Sequence, residues 1–245
     1  MNNGFSIKFS NEQPEIRTFI SGEFDDFHIQ ENHLEFLFEG VLLNKKKLLQ
    51  EYALKDFRTL ILELFKNKKE NVIKEFEGEF RGFIWDKMEE NFYVFTNPTS
   101  TKRVFYTQHN NQIFIDSSLV RLNETLKENT IFPSPDFEGF YQLLSFGNMF
   151  ENKTPLENVY KLLDGHFLKI DIKKTSFSEK KYFEISSSEI YKRNKEGALK
   201  EVHERFSLAV KTEYEKDSEL NSKHFTQISG GLDSRMAMLY AIQQN

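Results

Sequence analysis

Six consecutive residues, Ser229-Gly230-Gly231-Leu232-Asp233-Ser234, carry the densest chemistry in the sequence. Two adjacent glycines admit a tight turn and let main-chain amides approach a ligand closely. Amides gathered where a helix begins attract an anion. Ser229 and Ser234 add hydroxyl donors. Asp233 is a poor phosphate ligand itself but carries the hard oxygens that Mg²⁺ prefers. The combination suits the phosphate tail of a nucleotide held with Mg²⁺. It lacks the Gly-Lys-Ser/Thr ending of a Walker loop, and a plain strand–turn–helix corner with an Asp at its cap has the same composition. Arg235, the next residue, suits a phosphate, an adenylate or the helix end equally.

Such a loop needs a strand before it and a helix after it. His224 to Ser229 reads as the strand and Asp233 to Gln243 as the helix. Upstream, Lys195 to about Glu215 places Leu199, Val202, Phe206, Ala209 and Val210 on one face of a long amphipathic helix. A strand, a turn and one helix cannot bury a core alone, and a parallel sheet needs neighbouring strands. This end therefore reads as the unfinished beginning of a second α/β domain. Ser186-Ser187-Ser188 is the best linker.

The preceding residues read as strands with a few helices. Expected strands are Glu15 to Ile20, Leu34 to Phe38, Asn91 to Thr96, Arg103 to Thr107, Gln112 to Ile115 and Gly165 to Ile172, with a hairpin turn at Asn110-Asn111. Phe76 to Trp85 alternates with glycines and large apolar residues on both faces, as a strand covered on both sides does. Helical spacing marks Asn44 to Tyr52 and Asp56 to Phe65. Ser134 or Asp136 caps a further helix that Gly147 ends after Phe146.

Composition narrows the possibilities. The 26 phenylalanines imply an aromatic core rather than a ligand box. A net charge of −5 with no basic stripe argues against nucleic acid. No run of 18 apolar residues is present to span a membrane, and Met1-Asn2-Asn3-Gly4 shows no basic region followed by an apolar stretch, so the cytoplasm is the expected compartment. The absence of cysteine removes disulfides, thiolate metal sites and every cysteine nucleophile. Glu75, Glu77 and Glu79 read as solvent-facing charges, and His166, His203 and His224 as structural.

The loop resembles the SGGxDS pyrophosphate loop of the ATP-pyrophosphatases, which split ATP to AMP and pyrophosphate while adenylating a carboxylate or related oxygen. Thr154-Pro155-Leu156-Glu157-Asn158-Val159-Tyr160-Lys161-Leu162-Leu163-Asp164-Gly165-His166 looks like the T-x-f-x-x-I-x-x-L-x-P-G-H signature of asparagine synthetases. Tyr182-Phe183 sits where that family has Tyr-Trp. Residues 77–86 resemble its L-x-G-x-F-A-F-x-x-x-D strand. Lys102, Tyr106 and Pro98 echo its A-R-D-x-x-G-x-K-P-L-Y-Y segment, and Ser117 its F-A-S-E. The matches run in order over residues 38 to 240.

The resemblance implies a four-layer αββα N-terminal-nucleophile (Ntn) hydrolase-like sandwich, a class II glutamine amidotransferase-like domain over residues 1–188. Residues 189–245 would then begin an α/β pyrophosphate-loop domain. It also marks departures. The family's glutaminase uses an N-terminal cysteine whose α-amine is the base; Asn2 stands there. Its oxyanion-hole Asn-Gly falls at Glu39-Gly40, where a carboxylate repels an oxyanion; Asn44 matches. Its glutamine-binding Asp falls at Phe57. Exposure of Ser6 or Thr18 by removal of a leader would mend only the first loss. No catalytic residues are therefore expected in this domain. The expected activity is an AMP-forming amidoligase using ATP and Mg²⁺, with Ser229 to Ser234 on ATP and Asp233 on the metal. Its substrates would be a small carboxylate and ammonia or another amine. The alternative is a non-catalytic module for binding or assembly, with a homodimer or a partner subunit left open.

Overall fold

The computed structural model describes residues 3–10, 13–185 and 194–243. The chain divides into two compact units, Met1–Glu184 and Ile185–Asn245.

The first unit opens with β1 (Gly4–Ser10) and β2 (Gln13–Phe19), then β3 (Phe27–Gln30) and β4 (Leu34–Leu42). Helices α1 (Lys45–Glu51) and α2 (Phe57–Lys68) follow, with a 3-10 turn at Lys69–Glu75. Four strands come next: β5 (Gly78–Asp86), β6 (Asn91–Thr96), β7 (Phe105–His109) and β8 (Gln112–Asp116). After α3 (Leu119–Glu128) and α4 (Phe137–Phe146), the unit ends in β9 (Tyr160–Lys161), β10 (His166–Asp171) and β11 (Ser176–Lys181). Two antiparallel sheets result, in the orders β2-β1-β8-β7-β9 and β11-β10-β6-β5-β4-β3.

Strand alternation sorts the side chains into layers. Phe5, Ile7, Phe9, Ile113 and Ile115 of the first sheet meet Leu37, Phe83, Phe92, Val94 and Leu168 of the second. The other face of the six-stranded sheet presents Phe36, Phe38, Phe80 and Phe95 to Leu48 of α1 and to Leu60, Ile61 and Leu64 of α2. Phe114 turns outward from β8 onto Leu122 and Leu126 of α3. The order is thus helix, sheet, sheet, helix, as the expected αββα arrangement has it. Many phenylalanines are core, as in the edge-to-face pairs Phe5–Phe83 at 5.6 Å and Phe9–Phe92 at 5.0 Å.

The expected local signals appear. Asp56 caps α2 by accepting from Thr59 N at 2.8 Å, and Asp136 caps α4 by accepting from Gly139 N at 2.9 Å. Gly147 ends α4 in the left-handed region at φ 71°. Asn110 and Asn111 turn the β7–β8 hairpin with φ of 46° and 58°. Gly82 is required by packing, since a Cβ there would lie 2.0 Å from the carbonyl oxygen of Leu37.

Three readings are corrected. His224 to Ser229 is not a strand; without neighbouring strands its backbone has no ladder to join. The strand expected from Phe76 begins at Gly78, because Phe76 still closes the 3-10 turn. Elements β1, β3, β9, β11 and α3 lie outside the elements expected from sequence. The proposed linker Ser186-Ser187-Ser188 and the proposed nucleophile position Asn2 lie outside the described residues.

In the second unit, α5 (Lys195–Glu219) and α6 (Leu232–Ile242) meet where Tyr240 packs edge-on to Phe206 at 4.9 Å and its hydroxyl hydrogen-bonds His203. Among the described residues no helix is long and apolar enough to cross a membrane.

Candidate functional site

Antiparallel pairing of β4 with β5 sets Glu39 opposite Arg81. Both side chains are buried, so each must find partners or carry a large desolvation cost. Arg81 Nε donates to Glu39 Oε2 at 2.5 Å, and Lys102 Nζ donates to Glu39 Oε1 at 2.8 Å. The rest of the guanidinium goes to backbone. Nη1 donates to the carbonyls of Arg103 and Ser117, and Nη2 to that of Asn3, each at 2.7 Å. Burial lowers the pKa of Arg81, and the charge of Glu39 opposes this; arginine stays protonated in either case.

The start of β1 is closed by the same group. Gly4 has φ +135°, and a Cβ there would lie 1.9 Å from Ser117 Oγ and 3.0 Å from Arg81 Nη2. Ser117 Oγ accepts from Phe5 N at 2.9 Å and from Arg121 Nη2 at 2.8 Å. Arg121 in turn pairs with the buried Asp116 at 2.7 Å. No side chain larger than glycine fits at position 4 unless these neighbours move.

A strap of residues 21–26 crosses β4. Asp25 N donates to Gly40 O at 3.0 Å. The Asp25 carboxylate accepts from Leu42 N and from Lys45 Nζ, both at 2.9 Å. Asp26 Oδ1 accepts from Gly40 N at 2.9 Å. The second oxygen, Asp26 Oδ2, is buried and has no hydrogen-bond partner. Burial, followed by the neighbouring charge of Glu39, raises the Asp26 pKa even though the Gly40 amide opposes it. The Gly40 amide, which the family resemblance places at an oxyanion hole, is thus already engaged by the chain's own carboxylate. Phe57 opens α2 and packs edge-on against Phe27 at 4.6 Å, so that position is filled by an aromatic contact. Ser6 and Thr18 lie within paired strands, Ser6 between Arg17 and Asp116.

The motif at residues 229–234 is open by contrast. All of these residues are exposed except Ser234, which is half-buried. Ser229 Oγ and Ser234 Oγ lie 3.0 Å apart, Ser229 N donates to Ser234 Oγ at 3.0 Å, and Gly231 N donates to Ser229 Oγ at 3.2 Å. Arg235 Nη2 donates to Gly230 O at 3.2 Å, fastening the turn. Gly231 is the N-cap of α6, which has no side-chain capping bond, and a Cβ at Gly230 would meet nothing within 4 Å. Asp233 stands in the first turn of α6. The described residues contain no cluster of three or more His, Cys, Asp or Glu side chains able to hold a metal. One exposed carboxylate and two hydroxyls within six residues supply hard oxygens of the kind Mg²⁺ carried in on phosphates takes, not a self-sufficient metal cage.

The segment resembling the Thr154–His166 signature is a clasp. Thr154 Oγ1 donates to Val159 O at 2.7 Å and accepts from Leu156 N at 3.2 Å. Gly165 O accepts from Tyr182 N at 2.8 Å and Phe183 N at 3.1 Å, and Tyr182 OH donates to Thr96 O at 2.6 Å. His166 Nδ1 sits 2.7 Å from Asp164 O. His224 pairs with Asp217 at 3.0 Å and stacks on Tyr214 at 4.1 Å. Glu75 pairs with Lys68 at 2.7 Å.

Sequence reasoning missed Arg81 and Asp26. A charge inside a strand covered on both faces signals a buried partner, and Arg81 carried that signal; Asp26 had none.

The sequence of the first unit matches one family model. A profile of the glutamine amidotransferase domain matches residues 27–183, and the chain belongs to that family. Among solved structures it is similar to the glutamine phosphoribosylpyrophosphate amidotransferase from B. subtilis complexed with ADP and GMP. That match has 13% identity and a TM-score of 0.41, and covers 64% of this chain and 31% of that one. A second similar structure is described as the allosteric regulatory enzyme of purine biosynthesis, with 13% identity and a TM-score of 0.41 over 64% of this chain and 30% of that one. The chain therefore spans about a third of their length. Comparison with curated protein sequences gives no match.

Proposed function

We propose that the first unit is an Ntn-type glutamine amidotransferase domain that no longer hydrolyses glutamine. It would serve an AMP-forming amidoligase of the asparagine-synthetase type whose nucleotide binds at Ser229 to Ser234. The observation that carries the first half is the buried Arg81–Glu39–Lys102 cluster with the Asp26 strap. A glutaminase needs an open amide for the oxyanion, and here the Gly40 amide serves Asp26. It also needs a nucleophile beside that amide; the sequence contains no cysteine, and Ser117 and Arg81 fill the space at Gly4.

The second half rests on the open Gly-Gly turn leading into α6. In this reading the amides and serine hydroxyls of the turn, which bond one another at Ser229, Gly231 and Ser234, exchange those exposed bonds for the pyrophosphate end of ATP, and Asp233 would position the Mg²⁺ that neutralises it. A small carboxylate attacks the α-phosphate and pyrophosphate leaves; ammonia or another amine then displaces AMP. The chain's contribution is orientation and charge neutralisation. The amine arrives without glutamine hydrolysis, and the setting is cytoplasmic.

The test combines two assays on the purified protein. Glutamate release from glutamine should stay at the buffer rate, while Mg·ATP should bind in calorimetry and lose its heat in Gly230→Val. Glutamine turnover would refute the first half. Equal ATP titrations for the parent and Gly230→Val, or no titration at all, would refute the second.

A further inference from the structure

The strap of residues 21–26 runs between two anchored points. Ile20 packs against the core between the sheets, and Phe27 stacks on Phe36 at 5.5 Å and on Phe38 at 5.4 Å. Between them, Ser21 to Phe24 form an exposed outer turn. Gly22 bends it with φ 71°, in the left-handed region that glycine enters freely. Little holds this turn down. Asn3 Nδ2 donates to Ser21 Oγ at 2.8 Å, an exposed bond, and Lys102 Nζ lies 6.0 Å from the centre of the Phe24 ring.

Below the turn lie two carboxylates in different states. Asp25 is buried and meets both a cation, Lys45, and the Leu42 amide. Asp26 meets the Gly40 amide through Oδ1 at 2.9 Å, while its Oδ2 is buried without a hydrogen-bond partner. A charge on that oxygen has no donor to compensate it. The charged groups around it do not supply one. Glu39 of β4 has the same sign, and its two oxygens are taken by Arg81 of β5 and by Lys102. Lys45 of α1 is paired with Asp25. Glu23 of the strap is exposed and negative. Burial first, and Glu39 after it, raise the Asp26 pKa; the Gly40 and Gly22 amides and Lys102 oppose this without reversing it. The Gly22 amide acts on the Asp26 carboxyl, so the outer turn lies against it.

We propose that residues 21–24 form a proton-operated lid over Asp26 and the Gly40 amide. With Asp26 neutral the turn is closed and the carboxyl accepts from Gly40 N. Loss of the proton leaves charge on a buried oxygen that has no donor and stands near Glu39. The turn then lifts at Gly22, the carboxylate rotates out to water, and the Gly40 N–H is released to solvent. Ile20 and Phe27 hold the two ends, so the sheets stay paired. Neither half of the proposed function depends on this: opening supplies no nucleophile, and the nucleotide turn belongs to the other unit.

The test is hydrogen exchange at the Gly40 amide of the whole chain. It is read by NMR from acidic to neutral pH and divided by the intrinsic rate at each pH. In the parent, protection should fall by about tenfold per pH unit once Asp26 titrates, because one proton leaves on opening. The Phe83 and Val94 amides, in the middle of the β5–β6 pairing, should stay protected, which separates a lifting lid from unfolding of the unit. Asp26→Asn cannot ionise, and its amide oxygen can still accept from Gly40 N. It should keep the protection of the acidic parent at every pH. Gly40 protection that is constant with pH in the parent overturns the proposal. So does a fall that Asp26→Asn shares, or one that Phe83 and Val94 follow in step.

Discussion

Arg81 and Arg235 both donate to main-chain carbonyls beside glycine-rich backbone, yet their surroundings are opposite. Arg81 is buried in a two-sheet core, and its hydrogen bonds run to Glu39 and to the carbonyls of Arg103, Ser117 and Asn3. Arg235 is exposed and makes one long bond to Gly230. In the first region a ligand would have to break a paired, desolvated ion to enter. In the second, the turn is held by exposed hydrogen bonds among Ser229, Gly231, Ser234 and Arg235, and space is free at Gly230. The same residue types thus build a closed support in one unit and an accessible turn in the other, and burial decides which.

The largest effect that would sharpen this contrast is at Arg81. Replacing it with Met leaves Glu39 buried with Lys102 alone, and removing one partner of a buried pair typically costs about 3–5 kcal/mol. Urea unfolding of Arg81→Met should show a loss of that order. The pair Arg81→Met with Glu39→Gln should recover much of it, because no uncompensated charge remains. Arg235→Met should change stability by less than about 0.5 kcal/mol, as surface substitutions do. Equal losses at the two arginines would break the comparison.

Glycines give the next contrast. Gly82→Ala puts a methyl 2.0 Å from Leu37 O in the middle of the β4–β5 pairing. The strands must separate, at a cost of about 3 kcal/mol. Gly230→Ala meets nothing within 4 Å and should unfold within about 0.5 kcal/mol of the parent. Any effect there belongs to ligand binding. A Gly82→Ala midpoint matching the parent would mean that this approach of β4 and β5 relaxes freely.

How far the amino-acid order reveals these features depends on their range. Asp56, Asp136, Gly147 and Asn110-Asn111 are local signals, and each acts where expected. The alternation of Phe5, Ile7 and Phe9 in β1 is a legible strand signal outside the expected set. β11, Ser-Phe-Ser-Glu-Lys-Lys, was not legible, because an edge strand needs little apolar content. His224 to Ser229 reads as a strand from its setting before the Gly-Gly turn, but among the described residues it has no partner strand to pair with. The charge cluster is the least local feature: Glu39 and Arg81 face each other across adjacent strands β4 and β5, and Ser117 follows β8 of the other sheet, so residues far apart in sequence meet only when both sheets form. Lys102 matches the family pattern and Glu39 departs from it, but nothing in their order ties them to Arg81 or to the Asp26 strap.

The smallest effect lies in pH, and it separates the strap from the ion pairs around it. Burial, more than the charge of Glu39, raises Asp26 above the ordinary aspartate value. A carboxyl raised in the folded state favours the protonated form. Its contribution to stability is complete below the unfolded pKa and is lost as pH climbs through the folded value. Glu35 runs the other way. Burial pushes it up, but hydrogen bonds from His28 and Gln30, with the charges of His28 and Lys87, outweigh this and hold it low. Its contribution is present above the unfolded pKa and lost as pH falls through the lowered value. Denaturant unfolding as a function of pH, followed from below the ordinary carboxylate range up to neutral, should therefore show Asp26→Asn gaining on the parent as pH rises. The amide oxygen can still accept from Gly40 N, and no charge has to be buried. Glu35→Gln should instead lose ground to the parent over the same rise. If Asp26→Asn and the parent kept a constant gap at every pH, the Asp26 carboxyl would titrate normally. The strap would then be held by its backbone bonds and by Asp25 alone.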